Sequence, residues 1–149
     1  MAKILNSFFC SVVTEEYMAN FPERDLRYHG EDPLNNATFT NAKVKEKLSR
    51  LKPSAAPGPD RVWAQVLHSL ADVLAEPLSH VYTKLLEEGW VPTIWRTANV
   101  RPVFKKGSKG DPGNYRPISL TSILCKVMES IIRDAMIEFH LSNKLICPS

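Results

Sequence analysis

The sequence has little of what marks a membrane protein or a disulfide-stabilised secreted protein. No apolar run in its 149 residues approaches the roughly 20 residues that a membrane-spanning helix needs, so we expect no membrane partner. The first residues carry one lysine and no small-residue cleavage site, which does not indicate a signal peptide. The three cysteines are widely spaced: Cys10, Cys125 and Cys147. We therefore expect free thiols in a reducing compartment and an intracellular location.

The usual signatures of catalysis and metal binding are also missing. The four histidines are dispersed, without the spacing typical of a metal site. The sequence contains no Gly-x-Ser-x-Gly motif and no Walker A loop. It lacks the paired carboxylates on a strand–turn–strand segment that two-metal phosphoryl transfer uses. These residues therefore supply no complete catalytic site, and we assign no catalytic residue and no metal ligand.

The overall composition is that of a folded globular protein. Hydrophobic residues make up 44% of the chain and charged residues 23%, which argues against global disorder. We divide the chain into three segments. Residues 1–21 form an amphipathic helix running to about Met18, residues 22–39 form a polar loop or linker, and residues 40–149 form the main domain.

The main domain is predicted to be mostly helical. Thr40 begins a helix over 41–51, and a final helix of about eighteen residues follows Thr121 or Ser122. Between them, one helix begins at Trp63 and extends into residues 71–75. We predict that Trp63 is a core residue. A second begins at Glu76-Pro77 and ends at Gly89. Asp60, after a proline-rich turn, is either the N-cap of the Trp63 helix, which its position favours, or a functional loop carboxylate.

The stretch 98–122 predicts a β-hairpin, which makes the fold class α+β. Apolar runs lie on both sides of a basic, glycine-rich loop. Within the loop, Asp111-Pro112-Gly113-Asn114 predicts a type II turn, in which Gly113 supplies the positive φ.

Positive charge is concentrated in this hairpin. The segment 96–116 carries six basic residues and one acid, a net charge of +5 in a chain whose total is +3. The basic residues are Arg96, Arg101, Lys105, Lys106, Lys109 and Arg116. Such a concentration predicts a phosphate-bearing partner.

Two other patterns in this region leave alternatives open. Gly107-Ser108-Lys109-Gly110 fits the nucleic-acid-clamping loop of KH domains, but that loop joins two helices and this one joins predicted strands. Trp90 and Trp95 flank Pro92 near the basic stretch, where they either stack on bases or pack in the core.

The order of the motifs resembles one family. The chain is similar to the amino-terminal part of the reverse transcriptase of non-LTR (LINE-type) retrotransposons, of the jockey or CR1 kind. The residues that carry the resemblance are 5–9 (LNSFF), 56–60 (APGPD), 89–92 (GWVP), 95–98 (WRTA), 103–107 (VFKKG), 114–122 (NYRPISLTS) and 125–129 (CKVME). One departure is Arg61, where the family usually has glycine.

The resemblance implies a fold and a role for the hairpin. The region resembles the fingers and the entry to the palm of a polymerase, with the hairpin closing over the incoming nucleotide. Arg116, with Lys105 or Lys106 on the facing strand, would then contact the triphosphate of a deoxynucleotide. Arg101 and Lys109 are further candidates for contacts with the nucleic-acid backbone. The implied partners of the parent enzyme are an RNA template and a DNA primer.

The resemblance also implies what this truncated chain lacks. The family's metal-binding aspartates lie further along, and this sequence contains no Asp-Asp dipeptide. We therefore expect Mg²⁺ to bind only the full-length polymerase, no cofactor to bind this fragment, and no polymerase activity from it alone. The missing palm segment is the expected packing partner of the hairpin and final helix, so we expect marginal stability or association. Three readings stay open: a fragment of an RNA-directed DNA polymerase, a non-catalytic nucleic-acid-binding module, and a decayed reading frame.

Overall fold

The computed structural model describes residues 2–12 and 37–145, and the fold is α+β as expected. The helices are α1 (Ala2–Ser11), α2 (Asn41–Ser49), α3 (Ala64–Ser69), α4 (Ala71–Glu88) and α5 (Ile123–Ser142), with short 3-10 turns at Thr93–Arg96 and Pro112–Asn114. Strands β1 (Asn99–Phe104) and β2 (Tyr115–Leu120) form the predicted hairpin. Helix α1 and residues Val100–Ser119 belong to one compact unit, and α2–α5 belong to a second.

The core of the helical unit is built where α2 packs against α4 and α5. Thr40 caps α2 as predicted, since its side-chain oxygen accepts a hydrogen bond from Lys43 N at 3.3 Å. Val44 and Leu48 of α2 are fully buried. Tyr82 lies at the centre, fully buried, between the rings of Phe39 (centroids 5.4 Å apart) and Trp95 (6.1 Å). Three elements that are distant in sequence therefore meet on one aromatic cluster.

The boundary between the middle helices differs from the prediction. Helix α3 ends at Ser69 and α4 continues unbroken through Pro77, whereas the sequence predicted a new helix beginning at Glu76-Pro77. Proline inside a helix removes one backbone hydrogen bond and costs about 3 kcal/mol. Buried Ala75 and Tyr82 lie on either side of it, and Pro77 itself is exposed. The packing of the buried residues of α4 thus outweighs the local cost of the proline.

Trp63 was predicted to be a core residue, and this prediction is wrong. Its side chain is 57% exposed, while the neighbouring Ala64 is fully buried. The sequence carries two overlapping apolar stripes at helical spacing, and the one with smaller side chains faces the core. The buried stripe is Ala64, Leu67, Ala71 and Ala75, and the exposed stripe is Trp63, Val66, Leu70 and Val73.

Asp60 is not the N-cap that its position in the sequence favoured. Helix α3 begins after Trp63 without a side-chain cap. The Asp60 carboxylate instead accepts a hydrogen bond from Ser122 Oγ at 2.5 Å, and Ser122 is the N-cap of α5. Ser122 Oγ in turn accepts from Cys125 N at 3.3 Å. The carboxylate therefore fixes the beginning of a helix 62 residues away in sequence.

Gly58 allows this contact because its backbone lies directly against the segment before α5. A Cβ added at Gly58 would lie 2.6 Å from Ser122 N, 2.6 Å from Thr121 C and 2.7 Å from Thr121 O. Only glycine fits such a close approach of two backbones. We refer to Gly58, Asp60, Thr121 and Ser122 as the α5 clamp.

Arg61 adopts a backbone conformation that suits glycine. Its φ is 58°, in the left-handed region, at the position where the resembling family usually has glycine. This conformation destabilises a residue with a Cβ by about 1–2 kcal/mol. Glycine has a higher entropy in the unfolded chain, which lowers the stability of the folded state by about 0.4–1 kcal/mol relative to other residues. We expect Arg61→Gly to raise the free energy of unfolding by about 0.5–1 kcal/mol. Urea denaturation followed by circular dichroism measures this, and a destabilised variant would contradict it.

The end of α4 and both ends of α5 follow the prediction closely. Gly89 ends α4 in the left-handed conformation (φ 61°), and Trp90 N donates to Leu85 O at 3.2 Å. Helix α5 begins after Ser122 and ends at Ser142, with Asn143 as its C-cap.

Several sequence predictions fall on residues that the structure does not describe. The predicted extension of α1 to Met18 lies beyond the described residues, and so do residues 22–36 of the polar segment and Cys147. Phe39, at the end of that segment, is described and is a core residue with 7% exposure. Among the described helices, none combines the length and the apolar character needed to cross a bilayer.

Candidate phosphate-binding hairpin

The register of the hairpin follows from two contacts near its loop. Lys105 N donates to Asn114 O at 2.8 Å, and the rings of Phe104 and Tyr115 lie with centroids 5.4 Å apart. Lys105 therefore lies opposite Asn114, and Phe104 opposite Tyr115. Because directly opposite side chains of an antiparallel pair share a face, this register assigns every strand residue to one of two faces.

The first face is cationic. Arg116 lies opposite Val103, and its diagonal neighbours are Arg101 in β1 and Lys105, the residue directly after β1. The three cations are exposed and on the same side. The resemblance paired Arg116 with Lys105 or Lys106 and gave Arg101 as a backbone contact. The register places Arg116, Lys105 and Arg101 on one surface, the cationic face.

Lys106 and Lys109, the other two predicted contacts, are not on this face. Lys106 lies in the loop beyond the end of β1, and its side chain is exposed. Lys109 Nζ lies 5.9 Å from the centroid of the Phe104 ring, on the opposite face of the hairpin. The five candidate residues therefore fall into one cluster of three and two separate loop positions.

The loop is held by its own polar groups and does not use the predicted type II turn. Positive φ occurs at Gly107 (90°) and not at Gly113. Asp111 Oδ1 accepts from Gly113 N at 2.8 Å, and Asn114 N donates to Asp111 O at 3.1 Å, which closes a 3-10 turn. The prediction failed because the aspartate side chain stabilises a different turn.

The hairpin carries a net positive charge that these bonds do not change. Asp111, the one acid between Arg96 and Arg116, is engaged in the turn. Within the described part of the chain, none of the five candidate cations forms an ion pair with a carboxylate. Among the described residues, no ion pair compensates their positive charge, which suits a site for an anion.

A second group of cations, which the sequence did not single out, is partly compensated. Residues 41–52 carry five basic residues and one acid. Three of the basic residues form ion pairs: Lys45 with Asp72, Lys47 with Asp134, and Arg50 with Glu46. Glu46 is four residues from Arg50 in the sequence, but Asp72 and Asp134 lie on α4 and α5 and could not be assigned from sequence spacing alone. The hairpin is therefore the better anion site.

Of four other candidate groups, Cys125 and Trp95 pack in the fold, whereas Trp90 and Cys10 are exposed. Burial and the adjacent Glu129 raise the pKa of the Cys125 thiol to about 11, so it stays protonated and is a weak nucleophile at neutral pH. Trp95 packs edge-on against Tyr82 in the core, and Trp90 is 55% exposed. Cys10 is exposed.

Comparison with known proteins gives curated relatives from mobile elements. No family model matches the chain. It is 29% identical over 106 residues to the RNA-directed DNA polymerase from the mobile element jockey of Drosophila melanogaster, covering 70% of this chain and 11% of the relative. It is 31% identical over 91 residues to the Pol polyprotein from retrotransposable element R1 of Bradysia coprophila, covering 60% and 9%.

A third relative comes from another element. The chain is 32% identical over 96 residues to the Pol polyprotein from retrotransposable element R2 of Popillia japonica, covering 62% of this chain and 13% of the relative. The chain thus spans about a tenth of the length of the curated relatives it matches. The chain is therefore similar to a segment of the RNA-directed DNA polymerases of non-LTR retrotransposons, which confirms the resemblance that its motifs indicated.

Proposed function

We propose that this chain is the fingers segment of a mobile-element reverse transcriptase, and that its hairpin binds the phosphate groups of nucleotide and primer–template. Its relatives from the mobile element jockey carry RNA-directed DNA polymerase in their names. The observation that supports the role of the hairpin is the cationic face. Arg101, Lys105 and Arg116 lie together there without a carboxylate partner in the described structure.

The proposed chemistry is electrostatic. Arg116 lies between its two diagonal neighbours, so its guanidinium group meets a triphosphate with ammonium or guanidinium groups on either side. Planar guanidinium groups form bidentate bonds to phosphate oxygens, and such charge-assisted bonds contribute about 1.5–3 kcal/mol each. Lys106 extends the positive surface into the loop.

No catalytic step is proposed for this chain alone. Two-metal phosphoryl transfer needs carboxylates that clamp both metal ions. Among the residues that the structure describes, no three His, Cys, Asp or Glu side chains lie close enough together to hold a metal ion. In this proposal the magnesium site belongs to the parent polymerase.

Removing three hairpin cations tests the proposal. Binding of a single-stranded RNA weakens with salt, with a slope of log K against log [salt] of about −0.7 per phosphate contact. We expect Lys105→Ala, Lys106→Ala and Arg116→Ala together to make the slope shallower by about 2. Fluorescence anisotropy at several salt concentrations measures it.

The matched control removes the same charge from α2 and its C-terminal flank. Lys43→Ala, Lys45→Ala and Lys52→Ala together lower the net charge equally, and Lys45 is the one of the three in an ion pair. We expect this variant to keep a slope close to that of the wild type. Equal changes in both variants would show that net charge alone drives binding, which contradicts the proposal.

A further inference from the structure

The loop of the hairpin presents one serine hydroxyl among its cations. Ser108 is exposed and lies between the two strands. Lys105 and Lys106 precede it by three and two residues, and Lys109 follows it directly. The proposed function uses the first two lysines as phosphate contacts and gives the hydroxyl between the cations no role.

The loop holds this hydroxyl at the surface in a defined position. Asn114 Nδ2 donates to Ser108 O at 2.9 Å, and Gly110 N donates to Ser108 Oγ at 3.3 Å. Gly107, with a φ of 90°, lies against the Asn114 side chain, where a Cβ would come within 2.8 Å of Asn114 Nδ2. Among the described residues, none accepts a hydrogen bond from the Ser108 hydroxyl. The oxygen is therefore positioned at the surface and its proton is available for transfer.

The charges around Ser108 match the substrate preference of one class of modifying enzyme. A serine kinase that selects basic substrates carries carboxylates in its substrate groove, and these attract lysines placed just before the hydroxyl. We propose that such a kinase phosphorylates Ser108 and that the phosphate weakens anion binding by the hairpin. This inference rests on the proposed function, because it takes the phosphate-binding site of the hairpin as the site that is regulated.

The modification is a phosphoryl transfer from ATP. Ser108 Oγ forms a bond to the γ-phosphorus, and the bond from that phosphorus to the bridging oxygen breaks, so that its electron pair leaves with ADP. The hydroxyl proton passes to the general base of the kinase. Phosphoserine carries a charge of about −1.5 to −2 at neutral pH, so the segment 96–116 falls from a net charge of +5 to about +3. The neighbouring lysines then pair with a phosphate of the chain itself and not with one of a ligand.

Ser119 distinguishes the effect of structure from that of the sequence pattern. Like Ser108 it is exposed and follows a basic residue, Arg116, by three positions. Its backbone belongs to β2, which pairs with β1 and cannot enter a kinase cleft without breaking the hairpin. We therefore expect phosphate on Ser108 and none on Ser119.

Phosphorylation of the full chain tests the site itself. The protein is incubated with Mg-ATP and the catalytic domain of a protein kinase C, and mass spectrometry of its peptides locates the phosphate. We expect modification of Ser108, and we expect Lys105→Ala with Lys106→Ala to lower the initial rate at least about tenfold. Phosphate on Ser119 in place of Ser108, no phosphate on either, or a wild-type rate for the double lysine variant would overturn the inference.

Salt titration of single-stranded RNA binding tests the regulatory effect. We expect the slope of log K against log [salt] to become shallower by about 1 on phosphorylation, since the phosphate offsets up to two phosphate contacts. Ser108→Ala treated with the same kinase should keep the slope of the untreated protein, which controls for phosphate elsewhere. An unchanged slope in protein phosphorylated on Ser108 would overturn the regulatory effect. Failure of the proposed function is distinct, because it is seen without kinase, when the Lys105, Lys106 and Arg116 variant keeps its salt slope.

Discussion

Gly58→Ala is expected to destabilise the protein by about 3 kcal/mol or more, which is a large share of the 5–15 kcal/mol typical of a folded domain. The new Cβ would lie within 2.7 Å of three backbone atoms of Thr121 and Ser122. Backbone atoms cannot rotate away as a side chain does, so the two segments must separate. Separation removes the hydrogen bond between Ser122 and Asp60.

Another glycine supplies the control for this substitution. A Cβ at Gly110 would meet its nearest atom, Ser108 Oγ, at 3.7 Å, which is ordinary contact, and its φ is not positive. We expect Gly110→Ala to change the free energy of unfolding by less than about 1 kcal/mol. Urea denaturation of both variants, followed by circular dichroism, measures the difference. Equal stabilities would contradict the α5 clamp.

Truncation of Tyr82 is expected to have the second large effect. Tyr82→Ala removes a fully buried ring that contacts Phe39 and Trp95, and large-to-small aromatic substitutions cost about 3–5 kcal/mol. Tyr82→Phe keeps the ring but loses the hydrogen bond from Tyr82 OH to Leu124 O at 3.0 Å, and should cost about 1–2 kcal/mol.

The neighbouring Val81 is a suitable control because its side chain is 45% exposed on the same helix. We expect Val81→Ala to cost less than about 1 kcal/mol. Chemical denaturation of the three variants should rank them Tyr82→Ala, Tyr82→Phe, Val81→Ala from least to most stable. A Tyr82→Ala variant as stable as Val81→Ala would show that the aromatic cluster does not hold the helices together.

Local signals predicted most of the elements. Thr40 and Ser122 are N-caps and Gly89 ends α4, because capping depends on residues within a few positions. The hairpin was also predicted, since a turn sequence between two apolar runs is a local signal. The five candidate cations were named from the same stretch.

Features that depend on distant contacts could not be predicted. The bond between Asp60 and Ser122 joins residues from two separate segments, so the carboxylate looked like a local cap. Pro77 looked like a helix start because the packing of α4 is not visible in its neighbours along the chain. The two faces of the hairpin needed the register, which the contacts of Lys105 and Phe104 supplied.

The most direct test of the phosphate-binding role is a residue-resolved titration. Nuclear magnetic resonance follows the guanidinium signals of an isotopically labelled chain as a deoxynucleoside triphosphate is added. We expect the signals of Arg101 and Arg116 to shift together, while that of Arg50, which is paired with Glu46, stays in place. Shifts centred on Arg50, with Arg101 and Arg116 unchanged, would contradict the assignment of the cationic face.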